Sequence, residues 1–402
     1  MIAGESRDRL CSTGPMTAER SRTLSGRHST SSIRAPSSPI RVGVSSCLLG
    51  NAVRYDGGHK RDRFLTDTLG QFFEWVPVCP EVELGLGTPR ETLRLEGRPG
   101  APRLVFTTTR EDITDRMHVW SRARLERLAR ADLSGYILKS DSPSCGMERV
   151  RVYGRGGAPR EAGPGIFARA LMDQFPLLPV EEEGRLHDPG LRENFIERVF
   201  CYWRWRSLVA GRVTRGKLVA FHAAHKLLLL AHSPVLYAEL GRLVAAAKRL
   251  TPAALEAGYG EGFMAALRVK ATTKKHLNVL QHILGYLKRD LGTADKREVL
   301  ALLEEYARGL VPLVVPLTLL QHHLSRHPHA PAISANVFSA NRFRYHADFH
   351  SHPRNLMPPR TLPKIRDDHC PRARHRVNVK RIGDSPDRSQ PRSHRSRSRM
   401  PI

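Results

Sequence analysis

Three cysteines, each placed where an apolar, strand-like run ends, are the residues of this chain best suited to chemistry. Cys47 closes Ile40-Arg-Val-Gly-Val-Ser-Ser-Cys47, and Cys79 closes Phe72-Phe-Glu-Trp-Val-Pro-Val-Cys79. Cys145 follows Gly135-Tyr-Ile-Leu-Lys-Ser-Asp-Ser-Pro-Ser144. If these runs are parallel neighbours in one sheet, the thiols meet above its carboxyl edge, where open α/β sheets bind ligands. Thiolate is a soft donor, so a trio of thiolates points to an iron–sulfur cluster or another thiophilic metal. Spacing does not choose between these, because compact ferredoxin and zinc-finger patterns are absent and zinc also accepts thiolates. Taken singly, a cysteine of this kind fits a small buried hydrophobe equally well. Cys201, inside Phe200-Cys-Tyr-Trp203, is read in that way, while Cys11 and Cys370 fall in the terminal segments.

The residues beside the thiols supply further chemistry. Gly50 frees the loop after the first run, and Asp56-Gly57-Gly58 makes a tight turn able to hold a carboxylate near a ligand, or simply to shape the turn. Pro80 stops the second strand and leaves Glu81 at the rim, where it fits either an acid–base role or a salt bridge to Arg90. Before Cys145, Ser140-Asp-Ser-Pro-Ser144 offers hydroxyls and amides that can donate hydrogen bonds to sulfur. The Gly85–Gly87 stretch lacks the Lys-Ser/Thr of a Walker loop.

The elements that must position these residues alternate along 40–185. Strands are expected at Arg41–Ser45, Trp75–Val78, Leu104–Phe106, Tyr136–Leu138 and Arg149–Tyr153. Helices are expected at Asp62–Phe73, Ile113–Ala131 and Gly165–Phe175. This alternation predicts an α/β domain, a Rossmann-like parallel sheet wrapped by helices and closed by the acidic turn Glu181–Gly184. From 190 to 328 the apolar period is helical and predicts an all-α domain. Its helices are expected at Leu191–Val209, Thr214–Leu230, Pro234–Ala247, Pro252–Val269, Thr273–Leu291, Ala294–Ala307 and Pro312–Ser325.

Residues 1–39 and 329–402 read as disordered segments, the second a basic tail without a single Glu. A shift of reading frame is an alternative origin for that tail, and Met16 is a later candidate start. The formal charge of +26 is unevenly spread: residues 1–39 carry +3, residues 331–402 carry +11, and the stretch between keeps +12. That remainder favours an anionic partner or substrate. Six cysteines without a CxxC pair make no disulfide framework and point to a reducing, cytoplasmic setting. No signal-peptide core and no bilayer-length apolar run is present, so no membrane partner is expected.

Taken together, SSCLLG…VRYDGG, VPVCPEVELGLGTPR and LKSDSPSCG resemble the thiouracil desulfidase family. The stretches Gly216–Lys226, Lys274–His282 and Pro316–His323 are similar to the YbgA-like helical domain often fused behind it. The resemblance implies a 4Fe–4S cluster held by Cys47, Cys79 and Cys145, with one iron lacking a protein ligand. It implies removal of sulfur from a thiolated nucleobase or similar thiocarbonyl compound, a small-molecule thio-substrate, with release of sulfide. Such a reaction needs a proton donor or base; Glu81 is the first choice, with Asp56, Asp141 and Ser142 in reserve.

The alternative function is a nucleic-acid-associated protein with a structural cluster. Its basic helical edges, Lys217, Lys226, Lys270, Lys274, Lys275 and His276, would contact phosphates. A fourth protein ligand would favour that reading, but His59 and His118, the only histidines between 40 and Cys145, sit in no ligand-like context. His222 and His225 share a helix face without an HExxH or Glu-x-x-His pattern, so they read as packed or surface histidines.

Overall fold

The structure, a computed structural model, describes residues 39–154, 159–161, 163–211 and 213–326. The terminal segments expected to be disordered lie outside these residues, Pro39 apart. In chain order the α/β half runs β1 (Ile40–Ser45), β2 (Phe73–Val78), α1 (Pro80–Glu83), β3 (Leu93–Arg98), β4 (Ala101–Phe106) and α2 (Thr114–Ala129). It continues with β5 (Leu133–Leu138), β6 (Arg151–Tyr153), β7 (Pro159–Glu161), α3 (Ile166–Gln174) and β8 (Val180–Glu182).

Four of these strands make a fully parallel sheet in the order β2-β1-β5-β8. From β1 the chain builds first to one side, through β2, and then crosses to the other, through β5. The carboxyl end of β1 is therefore a topological switch point, the position at which such sheets take ligands. The β1–β5 register pairs Gly43 with Tyr136, and a Cβ on Gly43 would come within 2.2 Å of the tyrosine ring. A second, mixed sheet in the order β4-β3-β6-β7 packs Leu95, Leu104 and Val152 against Ile113 and Met117.

Three local expectations differ from the structure. The expected helix 62–73 shrinks to a π turn at Phe64–Thr68 and a 3-10 turn at Leu69–Gln71, because Phe73 is already paired with Ile40 in the parallel ladder. Of the acidic turn expected at Glu181–Gly184, Glu183 and Gly184 do turn, but Glu181 and Glu182 are the end of β8, with Ile137 opposite Glu181 and Leu138 opposite Glu182. Consecutive carboxylates oppose strand propensity, and ion pairs with distant residues override it. Finally, β3 was hidden by composition: only Leu93 and Leu95 carry its period-2 pattern, between Arg94 and Glu96.

The helical half comprises α4 (Pro189–Val209), α5 (Arg215–His232), α6 (Pro234–Ala245), α7 (Pro252–Arg268), α8 (Thr273–Leu287), α9 (Thr293–Ala307) and α10 (Val314–Arg326). Side chains of Asp188, Thr214, Ser233, Thr251 and Thr272 accept the N–H three residues on, and Pro189, Pro234 and Pro252 open their helices. These local signals explain why the helix bounds were readable. Among the described residues no helix is long and apolar enough to cross a membrane.

Helix α4 belongs to both halves. Phe195, Val199 and Phe200 bury with Val42, Val44 and Ile137 on one face of the parallel sheet, while α2 and α3 cover the other. Cys201 and Trp205, further along α4, enter the helical core with Phe221, Tyr259 and Phe263. Gly135 lets α4 approach, since a Cβ there would lie 2.7 Å from Val199. Each such large apolar side chain contributes roughly 1.5–3 kcal/mol on burial.

Candidate functional site

A cavity of about 500 Å³ opens at the carboxyl edge of the parallel sheet, and Cys47, Cys79 and Cys145 all line it. Each thiol is placed by a different local device. Cys47 sits in a 3-10 turn after β1, ended by Gly50 at φ 95°, a left-handed conformation suited to glycine. The Lys60 N–H donates to the Cys47 carbonyl at 2.9 Å and folds the following loop back over it. Cys79 caps α1, whose Glu83 carboxylate returns to accept the Cys79 N–H at 3.1 Å. Arg124 of α2 holds that same carboxylate at 2.8 Å.

Cys145 lies in the loop after β5. There the Ser142 hydroxyl oxygen accepts the N–H groups of Cys145 at 3.0 Å and Ser144 at 3.3 Å. The carbonyls of Pro143 and Ser144 in turn accept from Ile166 and Ala168, buried amides of the first turn of α3 that have no acceptor within the helix. Among the described residues no three His, Cys, Asp or Glu side chains are grouped so as to hold one metal ion, while all three thiols line the cavity.

Electrostatics ties the three together. Burial pushes the Cys47 thiol up to about 11, Cys79 adds to the rise, and Lys139 opposes it. Burial likewise raises Cys79. Cys145, 6% exposed, is raised well above the ordinary thiol value by burial first, then by Glu81, Cys79 and Cys47. Without a compensating cation the thiolates repel one another in a poorly hydrated space.

The proposed acid–base residues divide. Glu81 lines the cavity, with one carboxylate oxygen ion-paired to Arg90 and the other accepting the Ser144 hydroxyl at 3.0 Å. Asp141 is exposed at the rim, in a left-handed conformation at φ 59°. Ser142 lines the cavity with its hydroxyl oxygen already accepting two backbone N–H groups. Asp56 lies outside the lining and accepts the Gly58 N–H at 3.0 Å, which with Arg54 lowers its carboxyl pKa. His59 and His118 do not line the cavity.

Sequence reasoning did not single out Lys139, Glu182 or Glu183. Lys139 lines the cavity and donates from Nζ to Glu183 at 2.6 Å, and to the Ser140 hydroxyl and carbonyl at 2.9 Å. A lysine directly after a strand on the ligand edge was the one local hint. Nothing local marks Glu182 and Glu183, whose partners lie 35 and 43–44 residues away.

In the helical half His222, His225, His232 and His276 each have a polar partner within the protein, whereas the buried His323 Nε2 has no hydrogen-bond partner among the described residues. His222 Nδ1 lies 3.2 Å from the Tyr259 hydroxyl, with its ring stacked on Tyr237, and His225 Nδ1 lies 2.8 Å from the Phe221 carbonyl. Of the basic edges, Lys275 donates to the His232 carbonyl, Lys226 to Tyr286, and Lys270 pairs with Asp188 at 3.8 Å. His276 Nδ1 is 2.8 Å from the Tyr306 hydroxyl.

Comparison with known proteins matches these two halves to two families. Residues 42–183 match the 2-thiouracil desulfurase family, and residues 226–338 match a protein family of unknown function, DUF1722. The uncharacterized protein YbgA of Escherichia coli (strain K12) is 31% identical over 141 residues, 34% of this chain and 82% of that protein. The uncharacterized protein YbbK of Bacillus subtilis (strain 168) is 33% identical over 133 residues, 32% of this chain and 87% of that protein. A solved structure of the 4Fe-4S-dependent thiouracil desulfidase TudS is 31% identical, covering 38% of this chain and 97% of that one, with a TM-score of 0.31. The chain belongs to the 2-thiouracil desulfurase family through its α/β half, with a DUF1722 domain behind it.

Proposed function

We propose that the 500 Å³ cavity is the active site of a desulfidase that removes sulfur from a thiocarbonyl compound, a thiolated nucleobase or a close analogue. The observation that carries this reading is the placement of Cys47, Cys79 and Cys145, from three strand exits, on the walls of one cavity. The donor set fits an iron–sulfur cluster. Thiols kept protonated by burial and mutual repulsion lose their protons when a metal takes them. Among the described residues the cavity lining holds no histidine and no fourth cysteine. Three protein ligands leave one iron of a 4Fe–4S cluster open, and when bound it supplies a Lewis-acidic site for sulfur.

The balance of the reaction is hydrolytic. Water gives its oxygen to the thiocarbonyl carbon, the C–S bond breaks, and both water protons leave with sulfur as hydrogen sulfide, with no net electron transfer. The protein must therefore orient water and move protons. Glu81 is the group placed to do this: its carboxylate is locked by Arg90 and Ser144 and faces the cavity. Asp141 at the rim is the second candidate. Ser142 is a holder of the Cys145 backbone, and Asp56 shapes its own turn. Lys139, fixed by Glu183, keeps a positive charge beside Cys47 and compensates the thiolates.

Anaerobic reconstitution with iron and sulfide, followed by a sulfide-release assay on 2-thiouracil, tests the reading. The expected result is a broad cluster absorption with sulfide released in step with uracil. A protein that takes up no cluster overturns it. A cluster without release from any thiolated pyrimidine limits the site to a structural role.

A further inference from the structure

The loop that carries Cys145 runs without regular structure from Lys139 to Val150, yet its thiol must hold one position. Of the three consecutive carboxylates Glu181, Glu182 and Glu183 at and just after the end of β8, the last two grip it. Glu183 accepts the Ser140 N–H at 2.8 Å, the Ser140 hydroxyl at 2.9 Å and the Lys139 ammonium at 2.6 Å, all ahead of Cys145. Glu182 accepts the Met147 N–H at 2.6 Å, two residues beyond Cys145. Glu181 turns to the helical half, 2.6 Å from Arg185 and 3.7 Å from Arg198 of α4.

All three carboxylates are less than one tenth exposed. Burying a carboxylate is costly unless charges and hydrogen bonds compensate it, and closing a sheet edge needs no such groups, since apolar residues do it more cheaply. Here the cost falls on the one irregular loop that brings a thiol to the cavity. The bonds reach the loop on both sides of Cys145, which fixes the thiol's position rather than merely anchoring one end. Backbone groups held in this way resemble the outer partners that orient metal ligands.

We propose that Glu182 and Glu183 are positioning residues that hold the Cys145 loop in shape, and that Glu181 ties this clamp to α4. The helical half would thereby contribute to the geometry of the cavity without lining it. The inference rests on Cys145 as a ligand, so one arm of its test is independent of any cluster.

In the anaerobic, cluster-free full chain, alkylation by iodoacetamide is followed at each cysteine by mass spectrometry. Glu182→Ala is expected to speed labelling of Cys145 about tenfold with Cys47 and Cys79 unchanged, and in the reconstituted protein to speed iron loss to a chelator by about tenfold. Glu182→Gln, whose amide oxygen still accepts the Met147 N–H, is expected to restore both. In the wild-type chain, slow hydrogen exchange at the Met147 amide is expected, and fast exchange there overturns the clamp whether or not the variants fold. Unchanged Cys145 labelling in both Glu182→Ala and Glu183→Ala overturns it too, as does an equal rise at all three thiols. A wild-type chain that takes no cluster refutes the desulfidase reading instead, and the labelling arm still decides the clamp.

Discussion

Around the α/β cavity, thiols, carboxylates and the lysines Lys60 and Lys139 face about 500 Å³ of shared space; in the helical half, His232 and Glu197 close on one another beside a space of about 40 Å³. The smaller space has room for about one water molecule. The buried pair there makes the difference concrete. His232 Nδ1 lies 2.6 Å from the Val269 carbonyl and its Nε2 lies 2.9 Å from Glu197, so both ring nitrogens face acceptors within the protein. The thiols of the cavity meet backbone and hydroxyl groups, Cys79 the Val53 carbonyl at 3.8 Å and the amides of Glu81 and Val82, Cys145 the Ser45 hydroxyl, and all three still line the common space. Buried reactive groups mark a site where they are left facing a common space, and mark a core where each has its own partner. Residue type alone does not separate the two cases.

The largest effect expected from this contrast is at the cysteines. Cys79→Ser removes a soft donor from the cavity wall, and the reconstituted variant should show neither cluster absorption nor sulfide release. Cys201→Ser makes the same change in the helical core; it should keep both and cost about 1–3 kcal/mol for burying a hydroxyl, read from a denaturant melt. A stable cluster in the first variant, or its loss in the second, breaks the contrast.

Next in size is the acid–base group. Glu81→Gln should leave iron content unchanged and slow sulfide release by about 10²–10³-fold. Asp56→Asn, outside the cavity lining, should turn over as the wild type does. Wild-type turnover in Glu81→Gln would remove it from the mechanism and leave Asp141 as the acid–base candidate.

Legibility in the sequence followed the range of the interactions. The seven helices 189–326 were readable to within two residues at each end, except that α8 stops at Leu287 and not at the expected Leu291, because their caps and apolar periods are local: Thr251 with Pro252 announces α7 as plainly in the sequence as in the fold. The ends of the three strands before the cysteines were readable for the same reason. Glu181 and Glu182 were misread as turn because a strand of carboxylates makes sense only once Met147 and Arg185 are beside it. Likewise the period-2 signal of β3 rests on two leucines and needs its partners β4 and β6 to become a strand. The dual role of α4 was also out of reach, since its aromatic run Phe200-Cys-Tyr-Trp203 does not say which face meets which core.

In the helical half the expected effects are on stability rather than chemistry. Glu197→Ala leaves His232 without its charged partner, and breaking a buried pair of this kind costs about 3–5 kcal/mol. Thermal unfolding of the helical half should shift down, while iron bound per folded chain after reconstitution stays the same. A lowered iron content at temperatures where the variant is folded would show that the helical core reaches the cavity more directly than the clamp through Glu181 allows.

The smallest effect is a pH dependence at His225. Its ring packs 4.1 Å from Phe221 and beside Phe263, and burial, with the cationic Arg204 nearby, lowers its pKa from 6.5 to about 3. In the unfolded chain it takes a proton near 6.5; in the fold it stays neutral until about pH 3. Between those values the unfolded chain holds the extra proton, so stability falls as the pH falls, and all of the contribution is present above pH 6.5. Each pH unit below 6.5 removes about 1.4 kcal/mol, or about 2 kcal/mol by pH 5. The measurement is a pair of urea melts at pH 7 and pH 5 for the wild type and for His225→Gln, because other carboxylates also titrate in that range. The wild type should lose about 2 kcal/mol more than the variant over the interval. Parallel losses in the two proteins would mean that the ring takes its proton in the fold as readily as in the unfolded chain, and burial among Phe221 and Phe263 would then not set its titration.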